Sequence, residues 1–508
     1  MCHAGSHEND RTSLPNTPRP LTITPLTMNI LSLKNETSHG DWSHLRCFVV
    51  FAGSLAISLF THQGFADEAV PTDPPLRYYK GNIHTHSLWS DGNDFPEMIA
   101  EWYRTHGYNF LALSDHNVLS AGTRWMKLSE IIKRGGTKVA ALEKYRARFG
   151  GNWVETRGTP DTEDFAVRLK PLNEFRSLVE ERGRFIMLQG EEISDRAAGK
   201  PLHMNATNLR DVIQPSSGKT IREAMEANLR AVEDQARRTG RETLVHLNHP
   251  NFGWGVSAED VAAVLQERFF EVYNGHPGVN HQGDDHHPSV ERLWDIANTI
   301  RLGELQAAPL FGVATDDSHH YLGKGESPKK DRSESRTGRG WIQVRSHYLT
   351  PESIIRSMKA GDFYASSGVE LTEVSFDADA GLLALTIASK PGVTYTTQFI
   401  GTPIDYGNEP DTAPADPDEA DRSDHRDTPE IGKVFATVSG PNPQYKLTGS
   451  ELYIRAVVTS DQRHADPSYA GQQKQAWTQP VGWRQRTPVT PDSDTEATKP
   501  ETPAPATP

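Results

Sequence analysis

Cysteine is nearly missing from this chain. Only Cys2 and Cys47 occur in 508 residues, both near the start, so the rest has no thiolate to act as nucleophile or metal ligand and no pair for a disulfide scaffold. Positive charge is not in excess either. The formal net charge is −14, and no stripe of Lys and Arg interleaved with aromatics is found. Phosphodiester backbones are bound by such clusters, so a nucleic-acid partner is not expected. No GxSxG elbow, Walker loop or GxGxxG turn is found, which leaves serine-esterase, nucleotide-kinase and dinucleotide-binding readings without support. The apolar run CFVVFAGSLAISLF, Cys47 to Phe60, falls short of the about twenty residues that a comfortable membrane span requires.

That run has the length of a signal-peptide core, and Gly64 and Ala66 behind it stand at cleavage-type positions. Residues 1–66 therefore read as an N-terminal extension and signal peptide, with Met1 or Met28 as the start. The expected setting is the periplasm or exterior of a bacterium, with no stable membrane span after cleavage. Residues 76–368 alternate strand and helix patterns, with an insertion at 120–171. Residues 369–482 switch to period two and read as a small antiparallel β domain, interrupted by an acidic loop at 404–432. Residues 487–508, almost all Pro, Thr, Ala and acid, read as a disordered tail.

The chemistry gathers at strand ends. GNIHTHSLWSDG puts His84 and His86 two residues apart on a strand-like stretch, where they face the same way, with Asp91 in the turn beyond. One such pair is weak evidence, but the pattern recurs. YNFLALSDHN closes on Asp115 and His116, RFIMLQGEEIS on Glu191 and Glu192, and LHMNATNL carries His203. ETLVHLNHPN brings His246 and His249, FFEVYNGH brings Glu271 and His276, and PLFGVATDDSHH brings Asp316, Asp317, His319 and His320. Helix starts punctuate these strands: Pro96, the Thr220/Glu223 and Ser257/Asp260 capping boxes, and Thr350-Pro351. Strand-then-helix repetition with polar residues at the carboxyl ends predicts an α/β fold, a distorted (β/α)7-8 TIM-like barrel of parallel strands. Alternation also lets only one of Glu191 and Glu192 point inward, and puts Asp317 and His319 on one face with Asp316 and His320 on the other. Asp115 is expected to orient a ligand by hydrogen bonding or to cap the turn. His246 reads as a core or supporting histidine.

The ordered series His84, His86, Asp91, His116, Glu192, His203, His249, Asp317 and His319 resembles the metal ligands of the PHP (polymerase and histidinol phosphatase) superfamily. SDGND, EWYRTHGYNFLALSDHN, LNHPNFGWGVSAED, EVYNG, GVATDDSHHY and the late AWTQP look like the branch containing the CehA/McbA carbamate hydrolases. The resemblance implies three metal subsites: His84, His86, Glu192 and Asp317; Glu192 as a bridge with His203 and His249; and Asp91, His116 and His319. Asp91 stands where many relatives have histidine. Two or three divalent ions, Zn, Mn or Fe, suit this all-nitrogen-and-oxygen set. Ions bridged by Glu192 would acidify a shared water to hydroxide near neutral pH. Glu192, Asp317 and His249 are the expected catalytic ligands, with His281 as a catalytic candidate for leaving-group protonation.

His276 and His281 are also candidates for touching substrate. Trp89 and Trp254 would line an apolar group, and Arg336 and Arg339 an anionic one. The expected partner is a small-molecule ester, with phosphate mono- or diesters ahead of carbamate or carboxyl esters. A catalytically silent, metal-stabilised binding module is the alternative of another class; it would be expected to lose ligands, and none is missing.

Overall fold

The computed structural model describes residues 73–135, 140–321, 334–407 and 428–486. The expected signal peptide with both cysteines, most of the acidic loop and the tail lie outside the described residues. Among those described, no helix is long and apolar enough to cross a membrane.

The strands that carry the chemistry are β1 (Arg77–Asn82) and β2 (Phe110–Leu113), then, beyond the insertion strands β3 (Arg124–Lys127), β4 (Thr156–Arg157) and β5 (Ala166–Leu169), β6 (Ile186–Ala197), β7 (Lys200–Thr207), β8 (Leu244–Leu247), β9 (Phe269–Asn274) and β10 (Phe311–Thr315). They continue through β11 (Trp341–Ser346), β12 (Phe363–Ser366), β13 (Leu371–Asp377), β14 (Leu382–Ile387), β15 (Tyr395–Pro403), β16 (Lys433–Ser439), β17 (Gln444–Lys446), β18 (Glu451–Arg463) and β19 (Gln473–Thr478). One 13-stranded sheet runs in the order β10-β9-β8-β7-β6-β2-β1-β11-β12-β19-β18-β15-β16. The fold is mixed α/β.

Two features depart from the expected barrel. First, β7 is antiparallel to both β6 and β8. Ala198 and Gly199 both have positive φ (49° and 78°), the condition for a tight two-residue hairpin, so β6 and β7 pair directly where a helical crossover was expected. Second, the sheet does not close. The edge of β1 that β10 would need is occupied by antiparallel β11 as far as Gly81. Only past that pairing do the two chains meet, at a single parallel bridge between Thr85 and Ser318, with His86 N–H donating to Ser318 O and Asp317 N–H to His84 O, both 3.0 Å. The near-closure falls on the residues that matter for the site.

Alternation buries both faces of the central strands, as parallel strands covered on both sides require. Phe110 and Ala112 join Leu188, Val313 and Ile342 in one cluster, while Leu111 and Leu113 join Tyr103, Phe175 and Met187 in another. The helices start as their caps predict: Thr220 accepts from Glu223 N–H ahead of Ile221–Thr239, Ser257 from Asp260 N–H ahead of Ala258–Ala263, and Thr350 from Ser353 N–H ahead of Pro351–Ala360. The C-terminal strands extend the same sheet, because β12 pairs with β19. Strands β13, β14 and β17 form a separate small sheet, whose Leu371, Leu383 and Leu385 share a core with Phe399, Ile454 and Ala456.

Candidate metal centre

The carboxyl ends of β1, β2, β8 and β10, with Glu192 from within β6 and His203 from within β7, bring all nine residues of the ordered series together. His84 and His86 point their Nε2 atoms at each other across 3.1 Å. Asp317 Oδ1 lies 3.2 Å from both, and the Glu192 carboxylate lies 3.6 Å from His84 and 3.4 Å from His86. Glu192 also faces His203 at 2.9 Å, His116 at 2.7 Å and His249 at 3.5 Å. Asp91 stands 3.4 Å from both His116 and His319 and 3.6 Å from His86. The resulting ligand-sized groups overlap: His84/His86/Glu192, His84/His249/Asp317, His116/Glu192/His203 and His86/Asp91/His116/His319. His86 therefore joins the outer group, and His116 reaches inward to Glu192 as well as outward to Asp91.

Electrostatics make this concentration conspicuous. Burial opposes protonation of His84, yet Asp317, Glu271 and Glu192 hold its pKa well above the ordinary imidazole value. Burial and the neighbouring His319 push His86 down to about 3. Burial would raise Glu192, but His116, His203 and His84 hold it well below the usual carboxylate range. Facing imidazole nitrogens with carboxylates between them require protons or cations to be stable. Glu192 Oε2 is buried, makes no hydrogen bond and is faced by His116 and His86 nitrogens at 2.7 and 3.4 Å, surroundings that suit a cation held between these donors. The donor set fits divalent ions of the Zn, Mn or Fe type.

The backbone is strained where ligands project. His249 (φ 21°) and Asp317 (φ 47°) both occupy the left-handed region, a conformation that costs a non-glycine residue on the order of 1–3 kcal/mol. Glu271 offsets part of this. Its Oε2 accepts from His249 N–H at 2.8 Å and from Asn274 at 2.7 Å, while Asn274 also donates to Asp317 Oδ2 at 3.1 Å. Its Oε1 accepts from His84 Nδ1–H at 2.6 Å and from Thr315 at 2.7 Å. One carboxylate thus orients His84 and His249 directly and Asp317 through Asn274. Asn248 donates to Glu192 Oε1 at 2.8 Å, and Ser194 Oγ lies 2.5 Å from His116 Nδ1. Sequence reasoning missed these supports. Glu271 was visible as an acid at a strand end, but nothing in the sequence said that it stands behind the ligands.

The neighbours sort as follows. Glu191 turns away and accepts from Ile213 N–H at 2.6 Å. Asp115 caps the turn after His86, accepting from Ser87 and Ser90 through both backbone and hydroxyl. Asp316 is held on the far side by Tyr103 and the N–H groups of Gly338, Arg339 and Gly340. His246 is buried beside Glu271 at 3.5 Å, behind His84. His276 lies at the rim with its ring 5.5 Å from that of His319.

Several substrate candidates are placed elsewhere. His281 is packed between Tyr273 and Tyr469, at ring distances of 5.2 and 5.3 Å, because its loop turns it into that aromatic nest. Trp89 belongs to the core under the insertion, with its indole N–H donated to Lys170 O. Trp254 stacks on His287 at 3.9 Å, and the aromatic beside the ligands is Phe252, 5.8 Å from His203 and 5.2 Å from His249. Arg336 pairs with Glu334 and Asp466. Arg339 is buried, bonded to Gly275 O and Asp466 O and paired with the Asp466 carboxylate. Neither guanidinium is left for an anion.

No family model and no curated protein matches the chain. Among solved structures it is similar to a two-domain protein from Bacteroides vulgatus containing a predicted PHP-like metal-dependent phosphoesterase, at 14% identity and TM-score 0.34, over 81% of this chain and 97% of that one. It is also similar to a protein from Bifidobacterium adolescentis assigned as a metal-dependent phosphoesterase, at 15% identity and TM-score 0.24, over 50% of this chain and 93% of that one. Likeness at these scores carries no argument, so the reading below rests on the site itself.

Proposed function

We propose that the protein is an exported metal-dependent hydrolase of the PHP type that acts on small phosphate esters. The observation that carries this reading is the meeting of His84, His86, Glu192, His249 and Asp317, from three strand ends and the middle of β6, with imidazole nitrogens and carboxylate oxygens packed 3.1 to 3.9 Å apart. Divalent ions held by these residues, and by His203, Asp91, His116 and His319 around them, would acidify water and polarise the ester. Overlapping groups of donors suit a phosphoryl centre, which has several oxygens to engage. The apolar run Cys47–Phe60 supports export.

The chain's own residues prepare the site. By accepting a hydrogen bond from His84 Nδ1–H, Glu271 would leave the Nε2 lone pair for a bound ion. Asn248 and Asn274 fix the carboxylates of Glu192 and Asp317. Burial pushes His276 down to about 4, so the ring is neutral near pH 7. Its Nδ1 accepts from Gly278 N–H at 3.0 Å, which puts the ring proton on Nε2, where it can donate a hydrogen bond to an oxygen of the substrate.

The test is metal analysis of protein purified without chelators, followed by assays on a phosphomonoester, a phosphodiester and an aryl carbamate with Zn and with Mn. Turnover of a phosphate ester that is lost in His249→Ala is the expected result. Turnover of the carbamate alone would replace this reading with the carbamate hydrolase, and a folded, metal-loaded protein active on none would leave the binding module.

A further inference from the structure

Asp91 is the carboxylate of the outer group that it forms with His86, His116 and His319, and it is the least enclosed of the four. Its side chain is 53% exposed, so its position is set by the loop that carries it rather than by packing around the carboxylate. That loop, residues 87–95, is held from two sides. On the side of the strand ends, Asp115 accepts from the N–H groups of Ser87 and Ser90, Asn93 N–H donates to His319 O at 3.0 Å, and Asn93 Oδ1 accepts from Tyr321 N–H at 2.9 Å.

Beyond Asn93 the ties run to the insertion. Lys144 Nζ lies 3.4 Å from Asp94 Oδ2, the Tyr145 ring stacks on Phe95 at 4.0 Å, and the Tyr145 hydroxyl donates to Glu97 Oε1 at 2.6 Å. Trp153 donates its indole N–H to the same oxygen at 3.2 Å and to the Tyr145 hydroxyl at 2.9 Å. Asp94, Glu97 and Tyr145 are all buried. Phe95 supplies no side-chain cap to the helix Pro96–Thr105, so the first turn of that helix is fastened to the insertion through Glu97. At the other end of the loop, Trp89 donates to Lys170 O at 3.3 Å, and Leu88 and Trp89 share one core with Met126, Ile131, Leu142 and Tyr145. The inner ligands are braced differently, by Glu271, Asn248 and Asn274 at the strand ends themselves. A loop fixed in advance by buried hydrogen bonds does not have to be ordered when an ion binds, and supports behind a ligand tune its affinity.

Resting on the metal-dependent reading above, we propose that the insertion governs occupancy of the outer metal subsite: Lys144, Tyr145 and Trp153 are positioning residues that hold Asp94 and Glu97, and thereby present Asp91 to His86, His116 and His319. The inner subsites do not depend on it.

The experiment titrates Zn and Mn into the metal-free full chain against a chromophoric chelator, resolving the binding steps, with Asp91→Asn identifying the outer one. Lys144→Met/Tyr145→Phe keeps the ring stack and removes both polar ties; it should weaken the outer step by about 10- to 100-fold and leave the inner steps as in wild type. Lys144→Met alone, at a side chain that is 46% exposed, should weaken the same step in a protein whose core is intact, and Lys144→Arg should restore it. Arg157→Ala, on β4 of the same insertion but packed against Trp125, should change nothing. A merely structural role would lower thermal stability without moving the outer step relative to the inner ones. Equal weakening of every step, or a wild-type outer step in the double variant, overturns the proposal. Should wild type bind no ion that Asp91→Asn removes, the proposal fails while the metal-dependent reading stands on the inner ligands; a wild type that binds no metal defeats both.

Discussion

Two regions of this molecule bury charge, and they do so in opposite ways. Where the helix Val290–Thr299 meets β18, Arg455 makes a bidentate pair with Asp295 at 2.8 and 2.6 Å, Tyr453 donates to the same carboxylate at 2.7 Å, and the guanidinium lies 4.7 Å above Trp294. Each charge there meets its opposite. At the metal centre like groups face one another, with His84 against His86 and His86 stacked on His319 at 4.1 Å. A buried ion pair can hold itself together, although its net stabilisation is small against a hydrophobic replacement. An unneutralised cluster is a cost that persists only when a ligand offsets it. The first arrangement joins helix to sheet; the second is built for cations.

The largest effect is expected at the Arg455–Asp295 pair. Arg455→Ala leaves the Asp295 charge buried with only the Tyr453 hydroxyl to donate to it, and should cost about 3–5 kcal/mol of stability in denaturant unfolding while turnover per folded molecule is kept; a loss below 1 kcal/mol would remove the contrast. At the metal centre the dependence is on metal. Zn or Mn at about a hundred times its dissociation constant should stabilise wild type by about 2.7 kcal/mol, and His249→Ala should lose most of that gain without destabilising metal-free protein, as followed by thermal unfolding with and without chelator. Glu271→Gln sharpens the point, because it leaves every ligand in place: metal affinity should fall by about 10- to 100-fold, measured by competition with a chromophoric chelator.

A third buried charge gives an effect that depends on pH. Glu267 accepts from the N–H groups of Arg268 and Phe269 at 3.0 and 3.1 Å, and burial raises its pKa from 4.5 to about 8. The folded state therefore holds the proton more tightly than the unfolded chain. Its contribution is complete below about pH 4.5 and is lost as pH rises toward 8. Glu267→Gln should flatten stability against pH across that window; an unchanged slope would contradict it.

Much of the candidate centre was legible because period-two alternation lets only one of two neighbouring acids point inward, and the resemblance named Glu192: it faces the ligands while Glu191 turns to Ile213 N–H. Side chains off the strands were not legible in this way. Trp89 follows His86 closely in sequence, but its direction is set by the insertion packed over it. Arg339 pairs with Asp466, 127 residues away, a contact that no local pattern encodes. The hairpin turn at Ala198-Gly199 lacks the Asn-Gly or Asp-Gly signature that would have announced antiparallel pairing of β6 and β7.

By itself the sequence determined the residue types, their order and the strand ends that carry them, because side-chain spacing along a strand is a local property of the backbone. Only the tertiary structure decided that the sheet stays open with β11 on the edge of β1, that Glu271 braces the ligands, and that Phe252 lies beside His203 and His249. Those outcomes depend on which distant segments compete for the same edge or the same cavity, and that competition is settled only when the whole chain packs.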